Sequence, residues 1–522
     1  MSNRYSDFIQ ANRELWSKVP TSKGSNGLLL VAPERHPVLS HTNAVCARVI
    51  KEAKGLSIGW LDTGDLEIQE RLLSYDPTSR TIPLSRLSRF DRLVVGLRFV
   101  RSALKTLLTG DILSFSLDGI RFGDILYDSY LSRFKVATIP KVNKGVLSTL
   151  LTLIRNYYRF KRTLQDSGAS AVIVAHYIGL SSGVLVRTAL RLGLCVYLRS
   201  AGMPTVTVNL LKSLSEIYQS PYRPRPIDMQ LLSFIDQATL DKEFQDLMEK
   251  RINQHYDKDA SRAFNEKKKV YHSKNEFADE FKVAAKKTFI FVMLHAFNDH
   301  PHSHYGQMLF KDYYDWFVQT LDFAREKSDV NWIFKEHPSA LFYPTRDISL
   351  PHHFTKCQDH IIFLDANSSF NSKSLLYMAD VVITVAGTAG IEFAAAGGIP
   401  SILAGATSYS GFGFTVEPRT QTEYFQVLAN IENIDRLIKG QQDTARKVFL
   451  YSQRYSYIPF SWSPVLSYEE TKDPDVDSYY WTRVLDIYAK NSDKLLAEFE
   501  EHVKYLRKAD FCRLARLQFL DQ

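Results

Sequence analysis

The chain has 522 residues, 45% hydrophobic and 23% charged, with a formal net charge of +8. That is longer than one hydrophobic core usually organises and ordinary in composition, so the chain reads as a soluble globular protein of at least two domains rather than a fibrous or disordered one. Four scattered cysteines (Cys46, Cys195, Cys357, Cys512) form no CxxC pair, which argues against a disulfide scaffold or zinc ribbon and fits a reducing compartment. The opening MSNRYSDFIQANRELW has no signal-peptide pattern, and no run of about 18 apolar residues exists, so a cytoplasmic location is expected.

The first elements alternate. LLLVAP from Leu28 reads as a strand. SHTNAVCARVIKEAKG reads as a helix capped by Ser40 or Thr42 and closed by Gly55, and LSIGWLD as a second strand. Further on, AVIVAHY is a strand, GVLVRTALRLG a helix and CVYLRS a strand, which implies a parallel sheet covered by helices. Residues 238–287 are highly charged and read as exposed helices linking two domains. From Thr288 a second series begins: strand TFIFVML, an amphipathic helix with Tyr313, Phe317, Thr320, Leu321 and Ala324 on one face, then strands NWIFK, HIIFLD, VVITV and PSILAG with helices between them. The expected division is an amino-terminal domain 1–237, a linker 238–287, a carboxyl-terminal doubly wound domain 288–450 and a helical extension 451–522. Ligands of such sheets bind at the carboxyl ends of the strands.

Two motifs carry chemistry. In ADVVITVAGTAGIEFAAAGGIP a strand runs through Ala386, Gly387, Thr388, Ala389 and Gly390 directly into a helix. Glycines there permit a tight turn and close approach of a ligand, free N–H groups at the helix start attract phosphate, and the Thr388 hydroxyl can add a hydrogen bond. Glu392, one turn on, can hold ribose hydroxyls. This is neither a Walker loop nor the GxGxxG fingerprint, which disfavours kinases and dehydrogenases. In NWIFKEHPSALF the strand delivers Lys335, Glu336 and His337 to its end, with Ser339 beyond the proline. A strand-end imidazole and ammonium there can stabilise a leaving phosphate.

Together, K-x-HP-S after one strand and GTAGxE after another resemble the carboxyl-terminal domain of bacterial capsule polysaccharide biosynthesis glycosyltransferases, including capsule Kdo transferases; bacterial polysialyltransferases share a related HP motif. The resemblance implies a GT-B fold, two Rossmann-like domains facing a central cleft, and donor-phosphate contacts from His337 and Thr388. It also implies that Tyr409, Gly411 and Gly413 of GATSYSGFGFT line the donor pocket. GIRFGDILYDSYLSRF and AHYIGLSSGVLVRTALRLGLCVYLRSAG resemble amino-terminal segments of surface-polysaccharide enzymes more loosely.

Transfer requires a base for the acceptor hydroxyl. Asp124 and Asp128, four residues apart, and His176 at a strand end are the candidates. The stretch LHAFNDHPHSHYG places His295, His300, His302, His304 and Asp299 in the first strand-to-helix loop of the second domain. Pro301 interrupts the run and no metal-ligand spacing is present, so no metal is expected, and His295 and Asp299 are the expected ligand contacts. The basic amphipathic stretch SRLSRFDRLVVGLRFVRSALKTLLTG suits either a core helix with cationic edges or a peripheral contact with anionic lipid of the inner membrane. No nucleic-acid motif accompanies the basic residues.

The expectation is therefore a transferase that needs no cofactor. It takes a nucleotide sugar as co-substrate, with CMP-Kdo or another CMP-linked acidic sugar ahead of UDP and GDP sugars. The acceptor is a glycan or lipid-linked glycan. A CDP-polyol phosphotransferase, a nucleotide-sugar epimerase and a non-catalytic glycan-binding protein are the alternatives.

Overall fold

The computed structural model describes residues 2–19, 26–62, 64–202, 205–219, 223–253, 258–303, 308–467, 470–471 and 473–508. His304 and Cys512 lie outside the described residues. The chain divides into two compact units. The first comprises Met1–Leu126, Val142–Ile217 and Tyr455–Gln522, and the second Tyr127–Lys141 and Tyr218–Arg454.

The first unit is built on a seven-stranded sheet. Its order is Ile458–Pro459, Thr205–Leu211, Cys195–Gly202, Ala169–Val174, Leu28–Val31, Ser57–Leu61, Arg80–Ile82. The last five are mutually parallel, as the alternation of strand and helix implied. The other two pair antiparallel at one edge, which departs from the expected all-parallel sheet. The reason is local: Cys195–Gly202 and Thr205–Leu211 are separated by two residues, and only antiparallel strands can be joined so tightly.

Helix Pro37–Lys54 starts earlier than the candidate caps suggested. Pro37 occupies its first turn, where a missing N–H costs nothing, and no side chain caps it. The Thr42 hydroxyl donates instead to the Val38 carbonyl at 2.7 Å. Gly55 closes the helix in the left-handed region (φ 68°), as expected.

The segment read as a helical extension is part of this unit's core. Trp462 stacks on Trp16 with ring centroids 5.0 Å apart, and Trp481 lies 4.4 Å from Phe8. Helix Val476–Lys508, broken at Asn491, packs on Ser2–Ser17 and Pro37–Lys54. Aromatic side chains of this size supply large apolar burial, so the tail completes the core rather than decorating it.

The second unit carries a six-stranded, wholly parallel sheet. Its order is Ile361–Leu364, Asn331–Lys335, Phe289–Met293, Val381–Thr384, Ser401–Leu403, Thr415–Val416. Strand order reverses between Phe289–Met293 and Val381–Thr384, and a crevice opens at such a switch point. The expected face of helix Tyr313–Glu326 is buried, with Trp316 added to it. The charged stretch 238–287 is not a linker between domains. Its helices Gln237–Asn253, Lys258–Ala263 and Lys274–Phe281 bring Phe244, Phe264, Tyr271 and Phe277 into buried positions, the last three in a core shared with Phe289, Phe291 and Phe393. On helix Gln237–Asn253 the charged Lys242, Asp246, Glu249 and Lys250 are exposed while Arg251 is buried, and the dense charge pattern is why composition alone reads as exposed.

Candidate functional site

The strand-end motifs of the second unit meet in one pocket at the switch point of its sheet. The pocket encloses about 600 Å³ of space, part of it open to solvent. Its walls include His295 after strand Phe289–Met293, Lys335, Glu336 and His337 at the end of Asn331–Lys335, and Gly387, Thr388, Ala389 and Glu392 after Val381–Thr384.

The glycine loop ends in helix Ala389–Gly397. Thr388 takes the cap position, but its side chain makes no capping bond and is exposed. The first N–H groups bonded within the helix are those of Gly390, to the Gly387 carbonyl, and of Ile391 and Glu392, to the Thr388 carbonyl. Among the described residues nothing accepts from the N–H groups of Thr388 and Ala389. Two free donors and a hydroxyl at a helix start have the chemistry to receive an anion.

The two glycines owe their identity to space, not to backbone sign. A Cβ on Gly387 would lie 2.8 Å from Thr384 Oγ1, and one on Gly390 would lie 2.4 Å from the Tyr409 hydroxyl. That hydroxyl donates to the Gly387 carbonyl at 2.5 Å. Tyr409 therefore braces the loop from behind and does not line the pocket; neither do Gly411 and Gly413, which stand in left-handed turns at φ 78° and 80°.

His295 also holds the loop. Its Nε2 accepts from the N–H groups of Val385 and Ala386, each at 3.3 Å, and lies 3.1 Å from Thr384 Oγ1. Its ring stacks on Tyr313 with centroids 4.3 Å apart. Burial, helped by the neighbouring His337, lowers its pKa to about 3, so it is a neutral acceptor throughout the physiological range. His337 is oriented by the Ser339 N–H, which donates to Nδ1 at 3.2 Å. A neutral imidazole so held carries its proton on Nε2, ready to donate. Ser339 is fully buried and acts through His337 rather than on the pocket.

Glu392 is paired with Arg251, whose Nε donates to Oε1 at 3.0 Å, both side chains buried. Arg251, Phe264 and Ala260, all from the expected linker, line the same pocket. Sequence reasoning missed them because an arginine in a charged helix carries no signal of its own; the apolar Leu247 and Met248, four and three residues before it, were the available hint.

Asp299 is not in the pocket; its N–H donates to the Ala296 carbonyl in a turn. The histidine loop is instead pinned by Asp128, which accepts from the N–H groups of His302 and Ser303 and from the Ser303 hydroxyl at 2.5 Å. His302 Nε2 bonds the Lys311 carbonyl at 2.8 Å. No group of three or more His, Cys, Asp or Glu side chains is arranged to hold a metal ion among the described residues.

Asp128 is thus a buried anchor, not an open base. Asp124 is likewise committed: Arg187 grips both carboxylate oxygens at 2.7 Å, fully buried. Burial raises its pKa, but the Arg187 charge and hydrogen bonds outweigh this and leave it below the ordinary carboxylate range. His176 lies two residues beyond strand Ala169–Val174 and is exposed. Glu34, which the sequence reading passed over, follows the neighbouring strand Leu28–Val31. Burial, opposed by Arg199, pushes its carboxyl up to about 7, and its Oε1 is buried without a partner among the described residues.

Comparison with solved structures gives only low scores. KpsC of Thermosulfurimonas dismutans, a β-Kdo 2,4 transferase, has a TM-score of 0.31 and 15% identity over 54% of this chain and 79% of its own. MurG of Acinetobacter baumannii has a TM-score of 0.25 and 12% identity over 80% of this chain and 94% of its own. The UDP-GlcNAc 2-epimerase of Neisseria meningitidis has a TM-score of 0.23 and 11% identity over 81% and 98%. No curated protein matches the chain in sequence. One family model does: residues 201–431 match that of the capsule polysaccharide biosynthesis proteins, and the matched span contains His295, Lys335, His337, the glycine loop and Tyr409.

Proposed function

We propose that the chain is a glycosyltransferase that moves a sugar from a nucleotide-sugar donor, held in the second unit, to a glycan of a bacterial capsule or related surface polysaccharide. One observation carries the reading. The unpartnered N–H groups of Thr388 and Ala389 and the Thr388 hydroxyl open the helix at the pocket that His337 and Lys335 also line. In transfer, the bond between the anomeric carbon and the phosphate oxygen breaks as the acceptor oxygen bonds to that carbon. The acceptor proton passes to a base, and the nucleotide leaves with the bonding electrons. Donors aimed at the departing phosphate stabilise the charge that develops there, which is where preorganised electrostatics acts most strongly.

The nucleotide favoured is cytidine monophosphate linked to an acidic sugar such as Kdo, ahead of uridine and guanosine diphosphate sugars. Lys335 beside the pocket favours an acidic donor, since the charge of Arg251 is offset by Glu392. Glu34 and His176 are the candidates for the base, because each follows a strand at the switch point of the first sheet.

The test is nucleotide release. A transferase liberates free nucleotide only when donor and acceptor are both present. Conversion of the donor alone would assign an epimerase instead, and release of a polyol-phosphate product from a CDP-polyol would assign the phosphotransferase.

A further inference from the structure

Helix Arg89–Thr109 has two apolar faces, and only one is covered. Val95, Ala103 and Thr106 are buried, and the helix packs there on Lys144–Ser167. On the other side Leu93, Leu97, Val100, Leu104 and Leu107 follow at intervals of three and four residues, each more than half exposed, with Phe90 and Leu108 still more so. A surface helix ordinarily turns polar residues outward, so this stripe is exceptional.

Its flanks are cationic. Arg89, Arg92, Arg98, Arg101 and Lys105 are all exposed. The helix has one acidic residue, Asp91, and that is engaged by the Ser88 cap and by Arg162 at 2.5 Å. Arg89, Arg101 and Lys105 have no acidic partner among the described residues. No helix among the described residues is long and apolar enough to cross a membrane.

We propose that this outer face of Arg89–Thr109 docks the protein on an anionic lipid surface, the leucine stripe entering the acyl boundary and the flanking cations meeting headgroup phosphates. An apolar stripe edged by positive charge matches that occupant on both counts. A second copy of the chain would match the stripe but would oppose like charges across it. The proposal is independent of the donor site.

The test is flotation of the full chain with vesicles. Wild type is expected to float with phosphatidylglycerol–phosphatidylcholine vesicles, to stay down with phosphatidylcholine alone, and to be released by salt. Arg101→Gln/Lys105→Gln should weaken partitioning about thirty-fold, and Leu97→Glu/Leu104→Glu should abolish it. All four positions are exposed, so melting temperatures should not move, and a melting control separates docking from folding. The proposal is overturned if wild type fails to float, or if either double variant floats as wild type does. It is also overturned if Leu97→Glu/Leu104→Glu dissolves a dimer that never binds vesicles, which would give the face to a second copy.

Discussion

Replacing Gly390 by alanine puts a methyl carbon 2.4 Å from the Tyr409 hydroxyl, a separation that atoms do not share. Tyr409 must move, and its bond to the Gly387 carbonyl goes with it. Overpacking of this kind costs about 1–3 kcal/mol, and losing the hydroxyl bond alone, as in Tyr409→Phe, costs about 1 kcal/mol. If the two changes were independent, the double variant would lose about 2–4 kcal/mol. The clash is with the hydroxyl, however, so Gly390→Ala/Tyr409→Phe should recover most of the loss and lie near Tyr409→Phe alone. Recovery is partial because Tyr409 Cζ and Thr384 Cγ2 each remain 3.2 Å from the new methyl. Urea denaturation of the four proteins measures the coupling, with a favourable interaction of about 1–2 kcal/mol expected. Nucleotide affinity should follow the same order, since the displaced carbonyl belongs to the loop that starts the anion site. A double variant that loses the full sum would refute the idea that Tyr409 dictates glycine at 390.

Four further outcomes follow from the same geometry. Thr388→Val should weaken nucleotide binding by about tenfold or more, the loss of one hydrogen bond to a charged group, with no change in melting temperature; calorimetric titration reads it. Asp124→Asn should destabilise the first unit by about 3–5 kcal/mol, because Arg187 is left buried without its counter-charge; a fully stable but inactive variant would restore Asp124 as a catalytic candidate. Glu34→Gln should suppress transfer while leaving nucleotide affinity unchanged, measured by product formation and by titration separately. Stability should fall on acidification below about pH 6.5. His295 is held at about 3, and His41 and His502 at about 4, so the unfolded chain takes up these protons first and the folded state loses about 2 kcal/mol for each by pH 5. Glu34, raised to about 7, works the other way between pH 4.5 and 7; the carboxyls of Glu336 and Glu498, also raised by burial, act with it, and His353, also lowered by burial, acts with the other histidines. His295→Gln should flatten the slope seen in melting temperature.

Much of the second unit was legible because its strands are short apolar runs, each followed by a motif that strand-end geometry makes functional. His337 and Thr388 meet in the pocket because Asn331–Lys335 and Val381–Thr384 both flank Phe289–Met293 in the sheet, and strand–helix alternation implies that neighbourhood. What was not legible depended on contacts between distant segments. Asp124 and Asp128 look alike in sequence, yet one meets Arg187 and the other the backbone of His302 and Ser303. His295 and Tyr409 were read as ligand contacts, while the structure uses both to fix the glycine loop. Residues 238–287 show the limit of composition: a helix that buries one face beneath a dense charge pattern reads as solvated. The tail erred in the same way, since Trp462, Tyr480 and Trp481 find their partners more than 400 residues earlier.

The central claim is that the helix start at Thr388, together with His337, receives the donor phosphate. The most direct measurement is a crystal structure of the chain with cytidine monophosphate bound. The account predicts the phosphate within hydrogen-bonding distance of the Thr388 and Ala389 N–H groups, the Thr388 hydroxyl and His337 Nε2. A nucleotide seated elsewhere, with its phosphate touching none of these groups, would contradict it.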